Sequence, residues 1–124
     1  MRKLEFTIPL VIPSQKNSKR IAINKRTNRP FVMSDQRIKD WRNQASVFLP
    51  NENVKGRVEI EFNFTHKDKR RHDLDNEVSS LLDLFVLNGL LEDDSCFIVN
   101  KITANFVGVD KENYGVQIKI KSLD

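Results

Sequence analysis

The chain has 124 residues, of which 39% are hydrophobic and 31% charged, and it carries a net charge of +4. That length predicts one domain with a modest core, and that balance excludes a disordered chain. No apolar run approaches the roughly 20 residues of a membrane span.

Met1-Arg2-Lys3-Leu4-Glu5-Phe6 alternates like a strand and lacks a signal peptide's apolar core, which points to the cytoplasm. The one cysteine, Cys96, has no partner for an internal disulfide and reads as a small buried residue. Two histidines leave no zinc-finger spacing.

In chain order, Leu4, Phe6, Ile8 and Leu10 alternate with polar residues, predicting a half-buried strand that ends near Pro9. Pro13-Ser14-Gln15-Lys16-Asn17-Ser18-Lys19-Arg20 is a polar, basic loop. Ile21-Ala22-Ile23 and Phe31-Val32-Met33 predict a hairpin with Lys25, Arg26 and Arg29 near its tip. The tip reads either as a solubilising turn or as a finger that contacts phosphates.

Ser34 is a suitable N-cap, Asp35 suits a first turn, and Pro50 closes the segment. Ile38, Trp41, Ala45, Phe48 and Leu49 at helical spacing predict an amphipathic helix over 35–48, with Trp41 on its core side. After a loop from Asn51 to Gly56, Val58, Ile60, Phe62 and Phe64 alternate with polar residues and give the clearest strand. His66 to His72 leaves it as a basic segment.

From Asp75 or Asn76 to Leu87 the pattern is helical, with Val78, Leu81, Leu82 and Phe85 on one stripe. Leu84, Val86 and Leu87 widen the apolar surface enough to suggest a subunit contact. Asn88-Gly89 predicts a left-handed stop. Phe97 to Val107 reads as a strand, Gly108 to Asn113 as a turn, and Val116, Ile118 and Ile120 mark a final strand. The order β, hairpin, α, β, α, β, β predicts an α+β domain with a mixed sheet and two main helices.

Charge is segregated along the chain. Residues 1–72 hold 17 Lys/Arg against 7 Asp/Glu, whereas residues 73–124 hold 4 against 10. The sign changes inside Arg70-Arg71-His72-Asp73-Leu74-Asp75-Asn76. A polyanion drawn to the first part is repelled by the second unless a cation sits between them. Carboxylates two apart share a direction on extended backbone, so Asp73 and Asp75 can share a ligand. Hard divalent cations take one or two carboxylates plus phosphate oxygens and water.

Glu92-Asp93-Asp94 follows the helix, and either Asp93 or Asp94 joins the pair if the next strand lies beside the preceding one. A cation there polarises a scissile phosphate and acidifies water. The bland alternative is that Asp73-Leu74-Asp75-Asn76 only caps a helix and that Asp93-Asp94 is a solvated turn. There is no EF-hand pattern, no Gly-rich phosphate loop and no Ser/His/Asp motif.

Arg70-Arg71-His72-Asp73-Leu74-Asp75-Asn76, then Leu82-Asp83, then Asn88-Gly89-Leu90-Leu91-Glu92-Asp93-Asp94-Ser95 resembles the RusA-type Holliday junction resolvases. The likeness covers about residues 70–99, with a weaker echo in Pro13, Ser14 and Asn17. It implies a small homodimeric, Mg²⁺-dependent endonuclease, with Mn²⁺ able to substitute, that nicks four-way DNA junctions symmetrically in recombination and repair. Members are often carried by phages and prophages.

The resemblance maps the catalytic and metal-binding acids onto Asp73, Asp75 and Asp94, with Asp93 and Asp83 in reserve. The basic residues Lys16, Lys19, Arg20, Lys25, Arg26, Lys67, Lys69, Arg70 and Arg71 are expected to supply phosphate contacts. Two identical sites about a two-fold axis suit a two-fold junction. Where the family usually carries a lysine on the helix, this chain has Ser79; Lys16, Lys67, Lys69 or Lys101 could replace that charge from elsewhere. That departure makes a junction-binding protein without cleavage the alternative. A basic RNA-binding module is weaker, because the aromatic-rich strand used for stacking is missing.

Overall fold

The computed structural model describes residues 2–13, 20–24, 26–27, 29–33 and 36–124, with the backbone alone for 20–24 and 29–33. The expected Ser34 cap and Asp35 lie outside these residues.

Four strands form one mixed sheet: β1 (Lys3–Ile8), β4 (Val58–His66), β5 (Val99–Val109) and β6 (Gly115–Ser122), in the order β1-β6-β4-β5. β6 pairs antiparallel with both β1 and β4, and β4 pairs parallel with β5. β2 (Arg20–Asn24) and β3 (Arg29–Met33) form the expected hairpin as a separate two-stranded sheet. The helices are α1 (Gln36–Ala45), continued by a 3₁₀ turn over Ser46–Phe48, and α2 (Leu74–Leu87). The fold is α+β, as the sequence predicts.

Period-two alternation creates one apolar face. Val58, Ile60, Phe62 and Phe64 point to it from β4, and Val116, Ile118 and Ile120 from β6; all are buried. α2 lies on this face through Val78, Leu81, Leu82, Leu84 and Phe85. Phe85 stacks on Phe62 at 6.2 Å and meets the edge of Phe6 at 5.8 Å. Trp41 and Ala45 of α1 join the same core. The opposite face is polar: Lys119 approaches Glu61 at 3.8 Å, and Gln117 donates to Glu5 at 2.8 Å.

Four local expectations change. Leu84 is fully buried beneath its own helix, leaving Leu87 as the exposed apolar residue at that end. Cys96 is exposed, because it falls in the turn before β5 rather than in a strand. Phe97 likewise precedes the strand and is 82% exposed, while β5 runs on to Val109. The first strand stops at Ile8, short of Leu10.

Parallel pairing of β4 and β5 has the largest consequence. β4, α2 and β5 form a crossover in which α2 carries the chain back along the sheet. Val58 pairs with Val99 at one end of the strands and His66 with Val109 at the other. Whatever follows β4 and whatever precedes β5 therefore lie at opposite ends of the sheet.

Candidate metal and nucleic-acid site

At the His66 end, the basic arm leaves β4 and runs into α2. Lys67, Lys69, Arg70 and Arg71 are all exposed. Arg70 Nε lies 3.7 Å from Asp68 Oδ2 and Arg71 Nε lies 3.9 Å from Asp73 Oδ1, with arginine side chains 84% and 93% exposed. Ion pairs this long and this wet hold little, so both guanidiniums can turn to another anion.

Asp73 is the N-cap of α2, in extended conformation, yet its carboxylate makes no capping hydrogen bond. Only its backbone carbonyl engages the helix, accepting from Glu77 N at 3.2 Å. An aspartate that merely capped would place its side-chain oxygen on a first-turn N–H. Asp75 is exposed in the first helical turn, so the two carboxylates do not lie on one extended stretch and the strand-alternation argument for a shared direction fails. The helix dipole favours both negative charges there.

Asp94 lies elsewhere. Glu92 Oε1 accepts from Gly56 N at 3.1 Å, Leu91 bridges to Val54, and Ile98 O accepts from Val58 N at 2.7 Å. These contacts pin the acidic turn to the start of β4. The nine residues of β4 separate it from the arm by roughly 26 Å at strand rise. The three aspartates therefore do not gather within one chain, and among the described residues no cluster of three His, Cys, Asp or Glu side chains is placed to hold a metal ion. The adjacency condition is met, but a parallel neighbour brings its near end to the wrong end of β4.

Within the acidic turn the two aspartates differ. Asp93 Oδ1 accepts from Asp94 N at 2.8 Å. Hydrogen bonds from residues 94 and 95 hold the Asp93 carboxyl below its usual range, so it is committed to its own turn. Asp94 is exposed. Asp83 is half-buried on α2, nearer its C-terminal end than the acidic pair.

Among the expected phosphate contacts, Lys67, Lys69, Arg70 and Arg71 share the Asp73 end of the molecule. Arg26 is exposed at the hairpin turn. Lys16, Lys19 and Lys25 lie outside the described residues, as does the side chain of Arg20. Ser79 is exposed on α2. Lys101 pairs across from Glu59 on the polar sheet face, away from α2, and is not positioned to stand in for the lysine.

One feature of this end was not anticipated. Glu77, in the first turn of α2, is only 3% exposed, and its Oε1 lies 2.9 Å from His66 Nε2. Burial pushes the Glu77 carboxyl from 4.5 up to about 7, against the opposing charge of His72. Burial also pushes the His66 imidazole down, opposed by Asp68. The His72 ring meets the His66 ring edge-on at 4.8 Å. Nothing in the residue pattern marks Glu77, because it occupies a position that apolar spacing leaves open.

Asp73 and Asp75 are both exposed carboxylates, the Asp73 side chain makes no capping hydrogen bond, and such oxygens are the donor type a hard divalent cation takes. The chain matches no protein-family model and no curated protein.

Proposed function

We propose that this protein is a Mg²⁺-dependent endonuclease of four-way DNA junctions that acts as a symmetric homodimer, as its resemblance to the RusA-type resolvases implies. The observation that carries this reading is the non-capping Asp73, exposed beside Asp75 at the mouth of an exposed Lys67–Arg71 arm. Helix capping explains neither the uncommitted carboxylate nor the loosely paired arginines.

A homodimer would resolve the separation of the acids. A two-fold axis beside the middle of α2 and β5 reverses the partner's crossover unit end for end. The span of roughly 26 Å between Asp73 and the acidic turn is one strand length, so such an overlay would bring the partner's Asp94 to Asp73 and Asp75. Exposed apolar residues on the α2 side support such a contact. Ile102, Phe106 and Val109, paired across from Ile60, Phe64 and His66, are 45%, 53% and 45% exposed, and Leu87 is 65% exposed. β5 is also an edge strand.

In this reading Asp73, Asp75 and the partner's Asp94 would hold the cation. When bound, it supplies Lewis-acid stabilisation of the phosphate's developing negative charge. Lys67, Lys69, Arg70 and Arg71 draw the DNA backbone to the arm and orient the phosphate against the acidic pair, without reading bases. Affinity should therefore fall steeply with salt.

The test is a labelled synthetic four-way junction incubated with the protein and Mg²⁺. Paired, symmetric nicks are expected, and Asp75→Asn should abolish them while keeping or tightening junction binding. Salt-sensitive binding with no nick at any protein level would sink the enzymatic reading. That outcome would favour the binding protein suggested by Ser79.

A further inference from the structure

Beside the first turn of α2 lies a cavity of about 260 Å³. The N-terminal segment Leu10–Ile12 walls it on one side, and Glu77, His66, Lys67, His72 and Tyr114 face it from the others. Its volume falls just below the roughly 300–1,000 Å³ of drug-sized pockets, which suits a single planar ring system. The N-terminal wall is fastened to the helix by Ser80, whose hydroxyl donates to Pro13 O at 2.6 Å.

The cavity holds a buried polar group with a single partner. Glu77 is 3% exposed, and among the described residues its carboxyl bonds only His66, through Oε1. A leucine in this place would fill the same space without desolvating a carboxyl. Lys67 Nζ sits 5.5 Å from the centre of the Tyr114 ring, so cation and aromatic face occur together in the cavity lining. A flat face, a cation and an inner acceptor are the features that receive a nucleotide whose base has left the stack.

We propose that this cavity takes one unstacked nucleobase of a DNA strand, with Glu77 accepting a hydrogen bond from the base's exocyclic amino group. The identity of the strand rests on the nuclease reading, since its phosphate would lie at Asp73 and Asp75, which follow the lining residue His72 in the chain. Tyr114 and His72 offer stacking faces, and Lys67 and Arg70 meet the flanking phosphates. Adenine and cytosine present an amino group to such an acceptor and thymine does not, so the cavity discriminates by base. Unstacking costs least where pairing is already broken, as at a branch point, so base capture and preference for branched DNA have one origin.

The test uses the full chain without metal or junction. The protein is titrated at mildly alkaline pH with dCMP, dAMP and dTMP, and with inorganic phosphate, while NMR follows the ring signals of His66, His72 and Tyr114. Shifts are expected with dCMP and dAMP at millimolar concentration, with dTMP binding at least about 5-fold more weakly, the lower end of one base-reading hydrogen-bond pair. Glu77→Leu should erase that ranking, and Tyr114→Ala should weaken all three nucleotides without reordering them.

Shifts from phosphate alone that match those of the nucleotides, equal binding of dTMP, or no response to any nucleotide would each overturn the proposal. The wild-type ranking decides the matter even if a variant fails to fold. Junction cleavage is scored separately, so a dry cavity in an active nuclease and a base-binding cavity in an inactive one are told apart.

Discussion

At the scale of single residues, Glu77 and Asp73 show how burial and hydrogen bonding separate similar carboxyls. Asp73 is exposed and does not cap, whereas Glu77 is buried against His66 and holds its proton up to about 7. The sign of the linkage follows. Glu77 binds its proton more tightly folded than unfolded, so its contribution falls as pH rises from 4.5 to about 7 and is level above. His66 acts the other way, since its lowered pKa makes acid conditions below its usual value of 6.5 unfavourable. Asp68 and His72 face the same pair and moderate both shifts.

Glu77→Gln should therefore gain stability relative to the wild type between about pH 5 and about pH 8, by at most ~3 kcal/mol. Urea unfolding at both pH values, with a chelator present, measures the gap; a gap that does not widen toward high pH contradicts the buried-acid account. Asp75→Asn, by contrast, removes an exposed charge, and its stability should move by less than about 0.5 kcal/mol while cleavage is lost.

At the scale of elements, the β4–α2–β5 crossover decides what can meet. Its apolar periodicities were legible: four alternating residues in Val58–Phe64, and Val78, Leu81, Leu82 and Phe85 on one helical stripe, all end up buried. Gly89, at φ 74°, ends α2 as the Asn88-Gly89 pair predicts. The strand direction was not legible, because a run such as Val99–Val109 alternates identically in a parallel or an antiparallel neighbour.

Gly115 carries the other sharp requirement. It starts β6 at φ 134°, and a Cβ there would run into Ile8 O and Pro9 Cα. Gly115→Ala should cost about 2–4 kcal/mol, from backbone strain plus collision, read as a lower urea midpoint. It should also displace the Leu10–Ile12 wall of the cavity. An unchanged midpoint would show that the two segments can part without penalty.

At the scale of the whole molecule, the proposed composite site can be tested by an assay that no single-chain site mimics. Asp75→Asn and Asp94→Asn should each be inactive. Mixed and allowed to exchange subunits, they form heterodimers in which one site combines both substitutions and the other has neither. Single-strand nicking should then return, while the paired second cut stays absent. If the mixture remains inert although subunits exchange, the acids do not combine across a dimer. Phe106→Glu should dissociate the proposed dimer in sedimentation velocity without unfolding the monomer, because Phe106 is already half in water. A charged residue on a wet position costs the folded monomer little but is expensive to bury in an interface.

By itself the sequence determined the order of elements and the buried faces, because these depend on spacing along one strand or helix, and it carries the change of charge sign at Asp73 and the motif on which the family resemblance rests. Tertiary structure alone decided which ends of the crossover lie together, that Cys96 and Phe97 face water, and that Glu77 and His66 meet. Those outcomes depend on the direction in which β5 is laid against β4 and on what α2 covers. Such long-range choices are made by packing the whole sheet, and no local periodicity encodes them.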